Sequence, residues 1–328
     1  LTEVEKINDK QNITFHEFIC ACFFLAASRN KGDINILESG LFFRLDASNV
    51  IKKNIASIVM PIGIDHKDFL KKGTIDEIIY EKCSHLLNGS KIIVANQKEE
   101  VLKKINKNIA KNSSLKFFFG KDYKYNKNTN GFTYKDKEGT IKLPQPNLLG
   151  EFQVSNICTA INTARNLGQF NISDNHIRKA ITKIRSEGRL QIIDRGKLKK
   201  HLPKKNQILI IDGAHNPLAG DVVNKYLKSF YNKKKIIMII GMMINKEHKK
   251  FIQIFKKTVH SAIALDIPNQ TNFIKKEKLS KIIDSCGIAA TTENSIHSAI
   301  KKIGKKNNDV LVFCTGSLYF CGEILNLN

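Results

Sequence analysis

The chain has 328 residues, of which 42% are hydrophobic, enough to fill packed cores and to exclude a disordered chain. Its 54 Lys and Arg against 30 Asp and Glu give a formal net charge of +24, made of 47 Lys and only 7 Arg with no Trp. Nucleic-acid sites favour Arg for forked contacts and aromatic rings for stacking, so this charge reads as a lysine-rich solvated surface, with no nucleic acid expected as a partner.

No uninterrupted apolar run approaches the ~20 residues of a membrane-spanning helix, and no membrane association is expected. The richest run, Phe18 to Ala27, is short and is followed by Arg29. In chain order, Thr14 followed by Glu17 is a capping-box signature, predicting a helix over Thr14–Ser28. Strands are expected at Ile34–Glu38 and Ile55–Gly63, then a helix from Thr74 to about Leu87 and a strand at Lys91–Ala95. A polar helix over Lys98–Lys111 and a strand at Leu115–Gly120 follow. Asp122–Leu143, rich in Tyr, Thr and turn residues, reads as a hairpin-bearing excursion ended by Pro144 and Pro146. Helices are expected at Glu151–Leu167 and Asp174–Ile184, and a linker near Ser186–Asn206, where Gly188, Gly196 and Pro203 break the periodicity.

Beyond it, apolar runs at Gln207–Ala214, Lys235–Gly241, Ser261–Ile267, Gly287–Thr291 and Asp309–Thr315 alternate with helical patterns at Leu218–Phe230, Glu247–Val259, Lys278–Ser285 and Ile296–Ile303. That alternation predicts parallel β-α-β units in a five-stranded doubly wound sheet. The domain division expected is 1–187 and 188–328. The seven cysteines include no C-x-x-C pair and several lie inside apolar runs, which predicts buried reduced thiols in a cytoplasmic protein.

Four segments hold chemically capable side chains, three of them at expected strand ends, where open α/β sheets bind ligands. They are Glu38–Asn49, Gly63–His66, Glu81–Cys83 on a helix, and Asp212-Gly-Ala-His-Asn-Pro217, where a strand turns into a helix. A strand-end carboxylate can hold Mg²⁺, and a helix N-terminus beside an acid and a His favours anions. Singly each is more often ordinary: a solvated Glu, a structural His, one lysine among many, a plain Asp-Gly turn.

Order and spacing make the difference. Thr14–Phe18 resembles T-[FY]-F-E-[FL], Glu38–Asn49 resembles E-V-G-L-G-G-R-L-D-A-T-N, Ile62–His66 resembles [ST]-I-G-x-D-H, and Ile78–Lys82 resembles I-A-x-E-K. Phe119–Asp122 matches F-G-x-D, Leu149–Asn156 is similar to G-x-H-Q-x-x-N, and Gly188–Leu190 to G-R-L-E. Asp212–Pro217 matches D-G-A-H-N-P, and Thr315–Tyr319 contains G-S-L-Y. In this order they resemble the folylpolyglutamate synthase/dihydrofolate synthase family of the Mur ligase superfamily, along nearly the whole chain.

The resemblance implies an α/β fold: a Mur ligase-like ATPase domain followed by a Rossmann-like C-terminal domain. It implies an ATP-dependent ligase that phosphorylates a folate or dihydropteroate carboxylate and lets L-glutamate displace the phosphate. It implies Mg²⁺ held by Glu38 and His66, and a carbamylated Lys82 as a further metal ligand with a catalytic role shared by His215. Gln153, Asn156, Arg189 and Asp212 are implied ATP contacts. Thr14, Phe15, His16 and Glu17, with Leu45, Asp46 and Ala47, are implied to line the pterin pocket. The family is typically monomeric.

Three departures stand out. The family's phosphate loop, G-T-N-G-K-G-S, occurs nowhere in these residues. Its backbone amides and Lys cradle phosphates, so the chain as given is expected to be inactive, and its start at Leu1 reads as N-terminal truncation. Phe42-Phe43 stand where the family has Gly-Gly, which puts two bulky rings on a loop that glycines would leave pliable. Phe152 stands where many members have His, and Asn245 where an Asp is common. The alternative reading is a non-catalytic interaction protein that keeps the fold.

Overall fold

The computed structural model describes residues Leu1–Asn328. They form two compact units, Leu1–Lys124 with Thr159–Asn171, and Tyr125–Cys158 with Ile172–Asn328.

The first unit opens with α1 (Thr2–Asn8) and α2 (Phe15–Arg29). The expected capping box forms: the Glu17 amide donates to the Thr14 hydroxyl, and the Thr14 amide donates to the Glu17 carboxylate at 2.7 Å. Next come β1 (Ala56–Val59), α3 (Ile75–Cys83), β2 (Lys91–Val94), α4 (Glu99–Asn108) and β3 (Leu115–Phe118). The three strands are parallel in the order β1-β2-β3, with Val59 opposite Val94 and Ile93 opposite Phe117. α3 and α4 bury Ile78, Ile79, Cys83, Val101 and Ile105 against Ile92 and Val94. Thr74 caps α3 by accepting from the Glu77 amide.

The strand expected at Ile34–Glu38 is not formed; the segment is irregular, and Ile36 is 85% exposed. Alternating apolar residues make a strand only when a neighbour supplies the ladder. β1 is an edge strand here and pairs only with β2. Glu38 is therefore a loop residue.

In the second unit β4 (Lys124–Asn128), β5 (Gly131–Asp136) and β6 (Gly139–Pro144) make the expected excursion, a three-stranded sheet in which Phe132 faces Leu143 and Tyr134 faces Ile141. α5 (Glu151–Asn166) begins in this unit, and α6 (Asp174–Lys183) follows. The main sheet is built from β7 (Gln191–Ile192), β8 (Gln207–Ile211), α7 (Pro217–Tyr231), β9 (Ile236–Ile240), α8 (His248–Gln253), β10 (Ser261–Ala264), α9 (Lys276–Ser285), β11 (Ala289–Thr292), α10 (Ile296–Lys306), β12 (Val310–Thr315) and α11 (Leu318–Leu327). Its order is β11-β10-β9-β12-β8-β7.

Five strands are parallel as expected; β7 is a sixth, short and antiparallel, with Gln191 opposite Ile211. The alternation of side chains sorts the strands into two cores. Met238, Ile210, Phe313 and Ala262 meet α7, α8 and α9 on one face. Ile239, Ile211, Val312 and Ile263 meet α10 and α11 on the other. Burial on both faces explains why β8, β9, β10 and β12 read as continuous apolar runs, whereas the edge strand β11 is half-exposed.

The segment expected as a linker packs into this unit. Leu190, Leu198 and Leu202 are buried within the two cores. All seven cysteines are free thiols and six are buried, as expected for reduced cysteines. No helix is long and apolar enough to cross a membrane.

Candidate functional site

In the first unit the loop after Glu38 is fastened to two helices. Glu81 on α3 binds Arg44 through three contacts of 2.9–3.0 Å, and its carbonyl accepts from the Phe43 and Arg44 amides. Asp46 accepts from the Gly40 and Ser48 amides, both at 2.9 Å, and meets His16 of α2 at 3.3 Å. The Cys20 thiol lies 3.6 Å from the same His16 nitrogen, one helical turn on. Burial pushes the Asp46 carboxyl up, but hydrogen bonds from Ser48, His16 and Gly40 outweigh it and hold the group below the usual carboxylate range.

Of the pterin-pocket candidates, the fold thus brings His16 and Asp46 together. Thr14 and Glu17 engage each other as a helix cap. Phe15 and Leu45 stand 81% and 80% exposed, and Ala47 opens a short 3-10 turn capped by Asp46.

Lys82, at the end of α3, donates to the Leu41 carbonyl at 2.7 Å, and its ammonium lies 5.5 Å from the centre of the Phe42 ring. His66 lies 6.1 Å from the same ring and nearly perpendicular to it. His66 itself has a left-handed backbone, φ 54°, at the start of a 3-10 turn. Burial lowers the Lys82 pKa, while the charges of Asp65, Cys83 and Asp46 oppose that shift.

Glu38, His66 and Lys82 are the metal-ligand candidates that the resemblance implies. No group of three or more His, Cys, Asp or Glu side chains is placed to hold a metal ion. Glu38 is exposed on its irregular segment. Phe42 has its ring against both His66 and Lys82.

In the second unit a compact turn forms at the carboxyl ends of β8 and β12. Asp212 is buried and accepts from the Leu190 and Ala214 amides, each at 2.8 Å. Burial raises its pKa, opposed by those two amides and by the charges of Arg189 and His215. His215 shares a 2.9 Å hydrogen bond through Nδ1 with the Gly213 carbonyl, which orients the ring.

A side chain at Gly213 would strike Leu318 at 2.2 Å and Arg189 at 3.2 Å, so Arg189 lies against this turn. Gly316, at φ 110°, accomplishes the tight exit of β12, and its amide donates to Ala214. α7 and α11 both start here, capped by Asn216 and Ser317. Two helix N-termini, a guanidinium and an imidazole together favour an anion.

Gln153 and Asn156 lie on the first turns of α5 and hydrogen-bond each other at 3.2 Å. Gly150 and Phe152, just before them, pack beside Leu190. The fold therefore gathers Arg189, Asp212 and His215 and sets the start of α5 against the same leucine. Asp212 acts on the shape of the turn, since each of its oxygens holds a backbone amide.

Sequence reasoning missed the Arg44–Glu81 clasp, the His16–Cys20–Asp46 cluster and the strained Leu190. The i,i+4 spacing of His16 and Cys20 was the only local signal for any of them.

Parallel sheets with motif-bearing turns at their strand ends place the chain in the α/β class, and a family model for the Mur ligase middle domain matches residues 2–164. A second, for the dihydrofolate synthetase C-terminal domain, matches residues 194–327. The chain belongs to the folylpolyglutamate synthase/dihydrofolate synthase family of Mur ligases. It is 26% identical over 325 residues to the dihydrofolate synthase/folylpolyglutamate synthase of Bacillus subtilis, covering 95% of this chain and 71% of that protein. It is 28% identical to the enzyme of the same name from Buchnera aphidicola of Acyrthosiphon pisum, covering 99% of this chain and 74% of that one.

The fold matches a solved structure of Escherichia coli FolC in complex with DHPP and ADP, with a TM-score of 0.85 at 22% identity, covering 99% of this chain and 73% of that one. It also matches the Yersinia pestis bifunctional enzyme complexed with AMPPNP and Mn, with a TM-score of 0.81 at 20% identity, covering 97% and 72%.

Proposed function

We propose that this enzyme adds L-glutamate to a folate carboxylate, and to that of dihydropteroate, by way of an acyl phosphate made with ATP. The observation that carries the reading is the turn at Asp212–His215, where Arg189, His215 and the starts of α7 and α11 supply positive potential at a strand end. Joining two anions, a carboxylate and a polyphosphate, needs such groups to offset their repulsion.

In this reading Gln153 and Asn156 contact the nucleotide, and Arg189 stabilises its phosphates. His215 acts at the transferring group, while Asp212 holds the turn that presents it. His16 and Asp46 are the pterin-side polar pair, with Phe15 and Leu45 offering exposed apolar surface to a planar ring and Thr14, Glu17 and Ala47 fixing the frame around them. Divalent Mg²⁺ would accompany the ATP phosphates, a reading supported by the Yersinia pestis relative complexed with AMPPNP and Mn. Glu38, His66 and Lys82 are the residues of this chain nearest in sequence pattern to such an ion. Lys82 is either a free ammonium or, after reaction with CO₂, a carbamate. The proposal places the enzyme in the cytoplasm as a monomer.

Residues 1–328 contain no Gly-rich phosphate loop. By themselves they are expected to turn over slowly or not at all. The test is ADP release with ATP, Mg²⁺, L-glutamate and either tetrahydrofolate or dihydropteroate. It is run on this chain and on the whole polypeptide of its reading frame. Glutamylated product from the whole polypeptide supports the reading, and ADP no higher than without folate overturns it.

The second reading, a non-catalytic protein that keeps the fold, draws on one observation: the Phe42 ring lies against both His66 and Lys82. Detection of product in the same assay eliminates it.

A further inference from the structure

We propose that His16 is an exchangeable partner of Asp46: it holds the carboxylate in the free protein, yields it to an N–H donor of the bound heterocycle, and turns to Cys20 instead. The inference rests on the pterin-side role proposed for Asp46 and extends it. The Asp46 carboxylate can only accept hydrogen bonds, and its side chain is 6% exposed. Its Oδ2 accepts from the Gly40 amide at 2.9 Å, and its Oδ1 from the Ser48 amide at 2.9 Å and from His16 Nε2 at 3.3 Å. The two amides belong to the loop that Asp46 itself shapes, so they stay. His16 comes from α2, makes the longest of the three contacts and has a side chain 42% exposed. It is the partner that can leave without undoing the turn. Where the resembling pattern T-[FY]-F-E-[FL] has Phe, this chain has a ring that can both donate and accept.

The same nitrogen lies 3.6 Å from the Cys20 thiol. Nε2 cannot serve both neighbours at once. As an N–H it donates to Asp46; as a lone pair it accepts from Cys20. Burial, and then the charge of Asp46, push the Cys20 thiol up, which keeps it an S–H donor. Exchange needs only a change of tautomer: one proton leaves Nε2 for water, one is taken up at Nδ1, and the charge of the ring is unchanged. The imidazole then keeps a partner in both states, so giving up Asp46 leaves no orphaned nitrogen. The incoming group has to be a donor, because the carboxylate only accepts. Phe15 and Leu45, the neighbours of His16 and Asp46 along the chain, stand 81% and 80% exposed and suit a flat ring. A 2-amino-4-oxo pterin, with a ring N–H beside an amino group, has both properties. Gly40 leaves the room that the contact needs, since a Cβ there would lie 2.9 Å from His16 Nε2 and 3.2 Å from Asp46 Oδ2. His16 is a positioning residue in this scheme, acting through Asp46.

The test is ¹⁵N NMR of the histidine-labelled whole polypeptide at about pH 9, above the imidazole range, where the ring-nitrogen shifts report which nitrogen carries the proton. The His16 signal is the one lost in His16→Phe. The expected result is the Nε2–H tautomer in the unaltered protein, and the Nδ1–H tautomer both in Asp46→Ala without ligand and in the unaltered protein with dihydropteroate. Calorimetry gives a second readout. Cys20→Ala is expected to weaken dihydropteroate binding about five-fold, and Cys20→Ser to restore it, because a hydroxyl also donates. In a His16→Phe background Cys20→Ala is expected to change nothing. An Nε2–H tautomer that persists in Asp46→Ala, or with dihydropteroate bound, overturns the proposal. So does a Cys20→Ala effect that is the same with and without His16. Tautomer exchange in Asp46→Ala with no dihydropteroate binding at all overturns the pterin-side reading of Asp46 and the hand-over with it, which sets that failure apart from failure of the exchange itself.

Discussion

Leu190 is fully buried yet has φ 46°, a left-handed backbone that costs a branched residue of order 1 kcal/mol or more. What holds it is the Asp212 carboxylate, which accepts its amide while also accepting that of Ala214. Asp212→Asn puts an NH₂ where one of these amides now donates. We expect a loss of about 1–3 kcal/mol in urea unfolding, together with reduced activity, because the turn carrying His215 loses its anchor. Asp46 is the corresponding residue of the first unit. Its pKa is lowered in the folded state, with hydrogen bonds outweighing burial. An acid with a lower folded pKa contributes stability that is present above its unfolded value and lost as pH falls through the folded one. Asp46→Asn is therefore expected to cost about 1–2 kcal/mol near neutral pH and to narrow its gap to the unaltered chain below the ordinary carboxylate range. An undiminished gap in acid, measured by denaturation across that range, would contradict this. Aspartates at 46 and 212 stand out in sequence only as motif letters. Their partners 6 and 22 residues away, Gly40 and Leu190, are set by how the chain folds back.

The elements differ in how locally they are determined. The start of α2 follows from adjacent residues, because Thr14 and Glu17 are three apart and satisfy each other's groups. Thr14→Ala is expected to lower stability by about 1 kcal/mol and Thr14→Ser to restore it. If Thr14 also lines the substrate pocket, KM for the pterin substrate rises in the Ala variant at temperatures where it remains folded. The strands of the second unit were legible for a similar reason: runs buried on both faces have no polar phase to mislead. Ile34–Glu38 had the right composition but no partner strand, and strand propensity is realised only through pairing and packing. β7 was missed for the converse reason. Two residues carry no periodicity, and only the free edge of β8 makes Gln191–Ile192 a strand. α1 and α11 were likewise absent from the reading, α11 because its cap Ser317 belongs to a motif that drew notice for chemistry.

At the scale of the molecule, burial ranks the strands. Every residue of β9 and β12 is buried and each strand is paired on both sides. β1 is paired on one side, with Ile58 45% exposed. Native-state hydrogen exchange should be slowest at Ile236–Ile240 and Val310–Thr315 and much faster at Ala56–Val59; equal protection would refute the ranking. The net charge of +24 says little about the candidate residues: Lys82 is held by the Leu41 carbonyl in the first unit, and Arg189 lies against the Gly213 turn in the second. By itself the sequence determined the family, the alternation of strands and helices, and the motif turns, because periodicity, caps and motif spacing are properties of neighbours along the chain. Tertiary structure alone decided that Phe42 lies against Lys82 and His66, that Asp212 holds Leu190, and that Ile34–Glu38 stays irregular. Each of these depends on which distant segments meet, and the energies of such contacts exist only once the chain has closed on itself.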